Sequence, residues 1–458
     1  MQESIADYAL KKASEKAEYA EVFLEETDSR SFAIEQGLIN GGSYGKTAGI
    51  RIRVLKNGRL YTFSTNVLSK KAVENAIQHF AWVSNFEYRM SEEKAERADY
   101  KVKEKKNLSD ADMLRDLIFL DKLLAGHKAL YRSIYGFLSH RSTYYINSQG
   151  SSIRATLPYV GSFIRFVVGK GQAMRVRYMQ FGGVGGYELF NTTGFGRILT
   201  DEVNRLSDVA LHGVSLSNSE LKSIKNIVIS SEISGIAVHE SVGHPSEADR
   251  IFGREAAQAG TSYLSQNLGM QIGSEQVTII DDPTINHAFG FFLYDDEGVK
   301  TRPKKLVEKG VQKELLLNRE YAYMLNTKSN GSARSDSYSN EPIIRMSNTY
   351  LQRGDASFDE LVSEAKNGIF IRSFTEWNID DTRSFARYQG NEAYLIKNGD
   401  IDKPVKNFVL EKKTRDLWHA VKLVGKDFQL WLGTCGKGEP SQGVPVTMGG
   451  ASALLSFG

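Results

Sequence analysis

The chain has little of several things that would otherwise widen its class. One cysteine, Cys435, stands in 458 residues, so no intrachain disulfide framework can form, which suits a reducing compartment. Neither sign of charge is in excess: 58 Lys and Arg against 55 Asp and Glu give a net charge of +3. Nucleic-acid binding draws on a localised basic field. The one basic run, residues 101–106, is interrupted by Val102 and Glu104 and reads as solvated linker. No apolar run reaches the ~18 residues that suggest a membrane-spanning helix. The opening Met1-Gln2-Glu3-Ser4 has neither the basic nor the apolar region of a secretory signal. Short-period repeats and low-complexity tracts are absent. These absences predict a soluble, cytoplasmic protein with neither nucleic acid nor membrane as partner.

What is present is an ordinary globular composition, 41% hydrophobic and 25% charged, in a chain long enough for two or three domains. Residues 3–15 read as a helix, 20–25 and 31–35 as strands. Alternating runs on either side of Asn57-Gly58 predict a hairpin, because both turn positions favour φ above zero. An amphipathic helix follows over 68–83, through Val73, Ile77 and Phe80, and then a charged linker over about 91–107. Ser109 with Asp112 opens a helix that ends at Gly126. Residues 131–178 read as a meander of short strands broken at Gln149-Gly150 and at 169–171. The glycine cluster at 182–186 lacks the Lys-Ser/Thr of a phosphate loop and reads as a turn or bulge. A helix over 195–211 leads to a boundary within 212–222, and an apolar strand over 224–230 feeds the stretch that matters most.

That stretch is His239-Glu240-Ser241-Val242-Gly243-His244. Imidazole nitrogens suit zinc, and a Glu beside a ligand can act as general base on a metal-activated water. The spacing is unusual. Residues four apart on an α-helix lie about 40° apart around the axis, whereas residues five apart lie about 140° apart and point away from each other. For His239 and His244 to share one ion the helix must widen to an i→i+5 turn. Gly243 weakens the helix there and Pro245 disfavours α conformation at His244; such widened turns are frequent at functional sites. A catalytic zinc needs a third protein ligand and an open position. Cys435, set among glycines in Gly433-Thr434-Cys435-Gly436-Lys437-Gly438, can present its thiol from a loop, and the thiolate is the metal-binding form. Other candidates are weaker. Asp281-Asp282-Pro283 and Asp295-Asp296-Glu297-Gly298 read as turns, the latter without calcium-loop spacing. His287 reads as structural, and His79, His127, His140, His212 and His419 complete no constellation.

Together these residues resemble the TldD/PmbA family, and within it the TldD-type zinc metalloprotease subunit. The resemblance rests on H-E-S-V-G-H at 239–244, Tyr294-Asp295-Asp296-Glu297-Gly298-Val299, Glu308-Lys309-Gly310-Val311, Arg345-Met346-Ser347-Asn348-Thr349-Tyr350, and Cys435-Gly436-Lys437 with Val444-Pro445-Val446. It implies that His239, His244 and Cys435 hold Zn2+ and that Glu240 is the catalytic base. It also implies unfolded-protein or peptide substrates and a heterodimer with a related, metal-free TldE/PmbA-type subunit. The chain departs from the family pattern at Pro245-Ser246, which tightens the helix end. The expected fold is α+β in two lobes: an N-terminal sheet-plus-helices domain over 1–215, and a larger, mainly antiparallel domain over 220–458 carrying the metal helix. Three other readings stay open: a hydrolase of another amide, a peptide-binding or regulatory subunit whose zinc is structural, and a nucleic-acid modulator, against which the near-neutral charge speaks.

Overall fold

A computed structural model describes residues 2–458 except 79–80, 83–86, 107–108, 191, 254–261 and 265–267. The fold is mixed α+β, with strands predominating.

One eight-stranded sheet uses only residues before 185. Its order is Ala81–Trp82, Arg59–Thr65, Leu38–Lys56, Tyr19–Glu35, Tyr131–Asn147, Ser152–Val168 and Arg97–Lys101, with Arg175–Val184 also on Ser152–Val168. The hairpin at Asn57-Gly58 forms as expected: Lys56 faces Arg59, and both turn residues have positive φ (53° and 68°). Residues 20–25 and 31–35 are not separate strands. They belong to one, Tyr19–Glu35, whose polar middle is kept extended by pairing along its length with Leu38–Lys56 and Tyr131–Asn147. The 131–178 meander has fewer, longer strands than expected, broken at Gly150 and Gly169, where φ is 96° and 87°. Residues 97–101, expected as linker, form a parallel strand on Ser152–Val168. Its alternation is only five residues long, with Ala98 and Tyr100 turned inward, too short to stand out among charges. Helices Glu3–Ser14 and Lys70–Gln78 bury Ala6, Ala9, Val73 and Ile77 against Val22, Ile50 and Ile52. The second helix stops short of the expected 83: Ala81–Trp82 is a strand, and Phe80 and Val83 lie outside the described residues. Helix Asp110–Gly126 starts at the Ser109/Asp112 capping box, as its sequence signature predicts.

Residues after 225 supply two further sheets, of seven and six strands. One runs Asp400–Val405, Phe385–Lys397, Gly368–Ile379, Asn226–Ile229, Ala453–Ser456 and Val421–Val424, with Val409–Lys413 also on Phe385–Lys397. The other runs Val311–Gln312, Lys304–Glu308, Ile279–Asp281, Asn348–Leu351, Gln442–Gly450 and Gln429–Lys437. Pairing is antiparallel except between Asn226–Ile229 and Gly368–Ile379 and between Asn348–Leu351 and Gln442–Gly450.

Helix Ser231–Val238 leaves the first of these sheets and packs on the second, burying Ile233, Ile236, Ala237 and Val238 in the largest core. The approach is close. A Cβ at Gly235 would stand 2.8 Å from the Cα and N of Gly449, and backbone cannot yield as a side chain can. Gly235→Ala is therefore expected to cost about 1–3 kcal/mol, as overpacked cores do. Urea unfolding checks this; wild-type stability would show that the helix can move off the strand. Among the described residues no helix is long and apolar enough to cross a membrane.

Candidate metal centre

Ser230 begins the helix by accepting a hydrogen bond from the Ile233 N–H. The α-helix ends at Val238, and His239–Gly243 forms a π turn in which the His244 N–H donates to the His239 carbonyl. This is the i→i+5 geometry that the five-residue spacing demanded. Gly243 has a second reason to be glycine: a Cβ there would meet Met346 Sδ at 1.9 Å. The chain then tightens into a 3₁₀ turn, His244–Ser246, with Pro245 inside it.

Widening a helix leaves carbonyls without their usual partners, and buried carbonyls need new ones. Side chains supply them. Ser241 Oγ donates to the Ala237 carbonyl, Tyr263 Oη to that of Ser241 (2.7 Å), and Ser246 Oγ to that of Val242 (2.7 Å). Trp418 Nε1 donates to Ser241 Oγ at 2.9 Å.

The π turn brings the two imidazoles to 5.0 Å between centroids at 81°. Cys435 joins them, its Sγ 3.4 Å from His244 Nε2, and ligand atoms of all three residues lie within 4.8 Å of one another. All three side chains are buried. Cys435 comes from strand Gln429–Lys437 rather than from a loop. Of its neighbouring glycines, Gly433 lets the Met448 side chain pack closely: a Cβ there would meet Met448 Cε at 2.6 Å.

This donor set fits zinc. A tetrahedral ion with ordinary Zn–N and Zn–S bonds sets nitrogen and sulfur about 3.6 Å apart, close to the Cys435–His244 distance. His239 Nδ1 is buried with no hydrogen-bond partner, so that ring is not fully occupied by the protein.

The second imidazole is held from behind. His244 Nδ1 meets Glu247 Oε2 at 2.9 Å, which leaves Nε2 toward Cys435, the arrangement by which carboxylates orient metal-binding histidines. Glu247 in turn lies 3.2 Å from Lys437 Nζ, which also contacts Asp249 at 2.7 and 2.8 Å and the Ile344 carbonyl at 2.9 Å. Burial pushes the Cys435 thiol up, but His244 and His239 outweigh it and hold it well below its ordinary value. Burial alone would lower His244; Cys435 and Glu247 overcome this and raise it to about 9. Glu247 is likewise lowered, burial being overcome by Lys437 and His244.

Glu240 is buried beside His239 and accepts a hydrogen bond from Arg383 Nη1 on Oε2 at 2.7 Å. Burial raises its carboxyl, while His244, His239 and Arg383 together bring it below the usual range. Among the described residues the other candidates do structural work. His287 Nδ1 bonds the Val184 carbonyl, Asp281 accepts from Ser347 and Thr349, and Asp295 and Asp296 accept backbone N–H groups of Ala333 and Ser335. Sequence reasoning missed Glu247, Lys437 and Arg383. The first two carried a signal, a carboxylate three residues past His244 and a cation on the same strand face as Cys435. Arg383 carried none.

Known proteins resemble this chain in sequence and in fold. The family profile described as "PmbA/TldA metallopeptidase C-terminal domain" matches residues 223–456, and "PmbA/TldA metallopeptidase domain 1" matches residues 20–79. A protein of Methanothermobacter thermautotrophicus named "Metalloprotease" is 31% identical over 95% of this chain and 94% of its own. A "Zinc metalloprotease TldD homolog" of Saccharolobus solfataricus is 34% identical over 49% of this chain and 48% of its own. Among solved structures, TldE from Thermococcus kodakarensis aligns with a TM-score of 0.74 at 17% identity, covering 99% of this chain and 100% of its own. A Thermotoga maritima protein, described as a candidate modulator of a DNA gyrase, aligns with a TM-score of 0.79 at 18% identity, covering 100% and 99%. The chain belongs to the PmbA/TldD metallopeptidase family.

Proposed function

We propose that this chain is a zinc metallopeptidase cleaving peptide bonds in unfolded proteins or peptides, with His239, His244 and Cys435 as metal ligands and Glu240 as general base. The observation that carries this reading is the convergence of three buried ligand side chains on a π turn whose second residue is a carboxylate. Zinc held there would supply Lewis-acid chemistry, lowering the pKa of a water and polarising a carbonyl. Glu240 takes the proton of the attacking water and returns it to the departing amine. Strand Gln429–Lys437, which bears Cys435, lies at the edge of its sheet, where an extended peptide can add as a further strand. A cavity of about 350 Å³ beside it is lined by Trp431, Trp377, Phe374 and Ile236, the last one helical turn before Glu240. A purely structural zinc normally has four protein ligands; three converge among the described residues, which favours the catalytic reading. The likeness to a TldE structure supports a heterodimer with a related, metal-free subunit. We place that complex in the cytoplasm and assign 1–215 and 220–458 to separate domains.

Elemental analysis of wild type, His244→Ala and Cys435→Ser, paired with cleavage of unfolded casein, tests the proposal. One zinc per wild-type chain, absent from both variants, with cleavage lost alongside it, is the expected result. Zinc-loaded wild type that cleaves nothing, alone or with the partner subunit, would overturn it.

A further inference from the structure

Arg383 lies 143 residues from Glu240 in the chain, yet its guanidinium donates to the Glu240 carboxylate at 2.7 Å, which the Trp377 side chain also approaches. It occupies the turn between strands Gly368–Ile379 and Phe385–Lys397 and has φ of 63°, a left-handed conformation that arginine seldom adopts. Non-glycine residues held there persist only where their surroundings fix them, and they gather at functional sites. The surroundings here do fix it. The Arg383 N–H donates to the Asp380 carbonyl (2.9 Å), and its own carbonyl accepts from Thr414 Oγ1 (2.6 Å). The Asp380 carboxylate accepts from the Phe385 N–H and Ser384 Oγ.

Two of the turn's anchors also hold the π turn. Tyr263 donates its N–H to the Thr382 carbonyl and its hydroxyl to the Ser241 carbonyl. The short helix Thr414–His419 holds the Arg383 carbonyl through Thr414 and Ser241 Oγ through Trp418. The positions of Arg383 and of the residue following Glu240 are thus set by the same two side-chain bridges. An ion pair serving stability alone has no need of such matched support.

We propose that Arg383 is a positioning residue for Glu240: it engages Oε2 and fixes the carboxylate's orientation for proton exchange with water. The planar guanidinium suits this task better than a rotating ammonium, and a carboxylate offers about four acceptor sites, so one donor orients it without exhausting it. The inference rests on the reading of Glu240 as general base.

The test compares Arg383→Ala, Arg383→Lys, Glu240→Gln and the double variant Arg383→Ala/Glu240→Gln, in the full chain with its partner subunit. It measures zinc content, thermal stability, and kcat and KM on a fluorogenic unfolded peptide, with and without added guanidinium. Arg383→Ala is expected to keep its zinc and its KM, and to lose about 10–100-fold in kcat, the order that a 1 Å misplacement costs. Guanidinium should restore part of that loss, Arg383→Lys should lie between, and Arg383→Ala should cost nothing further in the Glu240→Gln background. A crystal structure of Arg383→Ala should show the Glu240 carboxylate in more than one orientation. If Arg383→Ala folds poorly, the Lys variant with guanidinium decides. Wild-type kcat in Arg383→Ala beside an inactive Glu240→Gln overturns the positioning role alone, as does an equal further loss in the double variant. Full activity in Glu240→Gln overturns the base reading itself.

Discussion

Glu240→Gln is expected to cut hydrolysis of unfolded casein by about 10²–10⁴-fold, the usual contribution of a general base, while leaving one zinc per chain. The substitution keeps size and shape. The glutamine carbonyl can still accept the hydrogen bond that Arg383 gives to Oε2, so no buried donor is orphaned and the fold should hold. What is lost is the ability to take a proton, since an amide oxygen is a far weaker base than a carboxylate. Zinc retention follows from Glu240 lying outside the His239, His244, Cys435 group. Parallel zinc and cleavage measurements decide the matter: undiminished cleavage by a zinc-loaded variant removes Glu240 from the mechanism, and zinc loss would instead make it part of the metal shell.

Lys437→Ala is expected to have the largest effect on stability, about 3–5 kcal/mol, the cost of leaving buried charge uncompensated. Lys437 is fully buried and pairs with two buried carboxylates, Glu247 at 3.2 Å and Asp249 at 2.7 Å. Arg250 lies farther from Glu247, at 4.0 Å. Because Glu247 also fixes the His244 ring, the variant should bind zinc more weakly too, by about 10–100-fold as for other outer-shell changes. Urea unfolding of the zinc-free chain isolates the stability effect, and competition with a chelating dye measures the second. A loss under about 1 kcal/mol would mean that the carboxylates find other partners.

The parts of the site legible in the sequence were those encoded locally. Five-residue spacing, a glycine before the second histidine and a proline after it together specify a widened turn, and the backbone obeys. Cys435 was legible as the sole thiol, though not as a strand residue, because its flanking glycines mimic a loop while lying in a strand paired along its length with Gln442–Gly450. Arg383 was illegible, because its link to Glu240 exists only once two turns 143 residues apart are brought together. The same holds for the fold. The Asn57-Gly58 hairpin and the Ser109 cap are short-range signals and were read. The unbroken strand Tyr19–Glu35 is imposed by two long neighbours despite a polar centre, and no local propensity announces it.

The placement of Cys435 also has a consequence in time. It leaves the ribosome 191 residues after His244, a delay of about 10–40 s at ordinary elongation rates. Strand Ala453–Ser456, which flanks the strand that launches the metal helix, emerges later still. Throughout that interval a growing chain carries both histidines and Glu240 without the thiol. The proposed zinc shell is therefore incomplete until the last strands of the chain have been made, so translation order sets the moment at which the proposed activity could first arise.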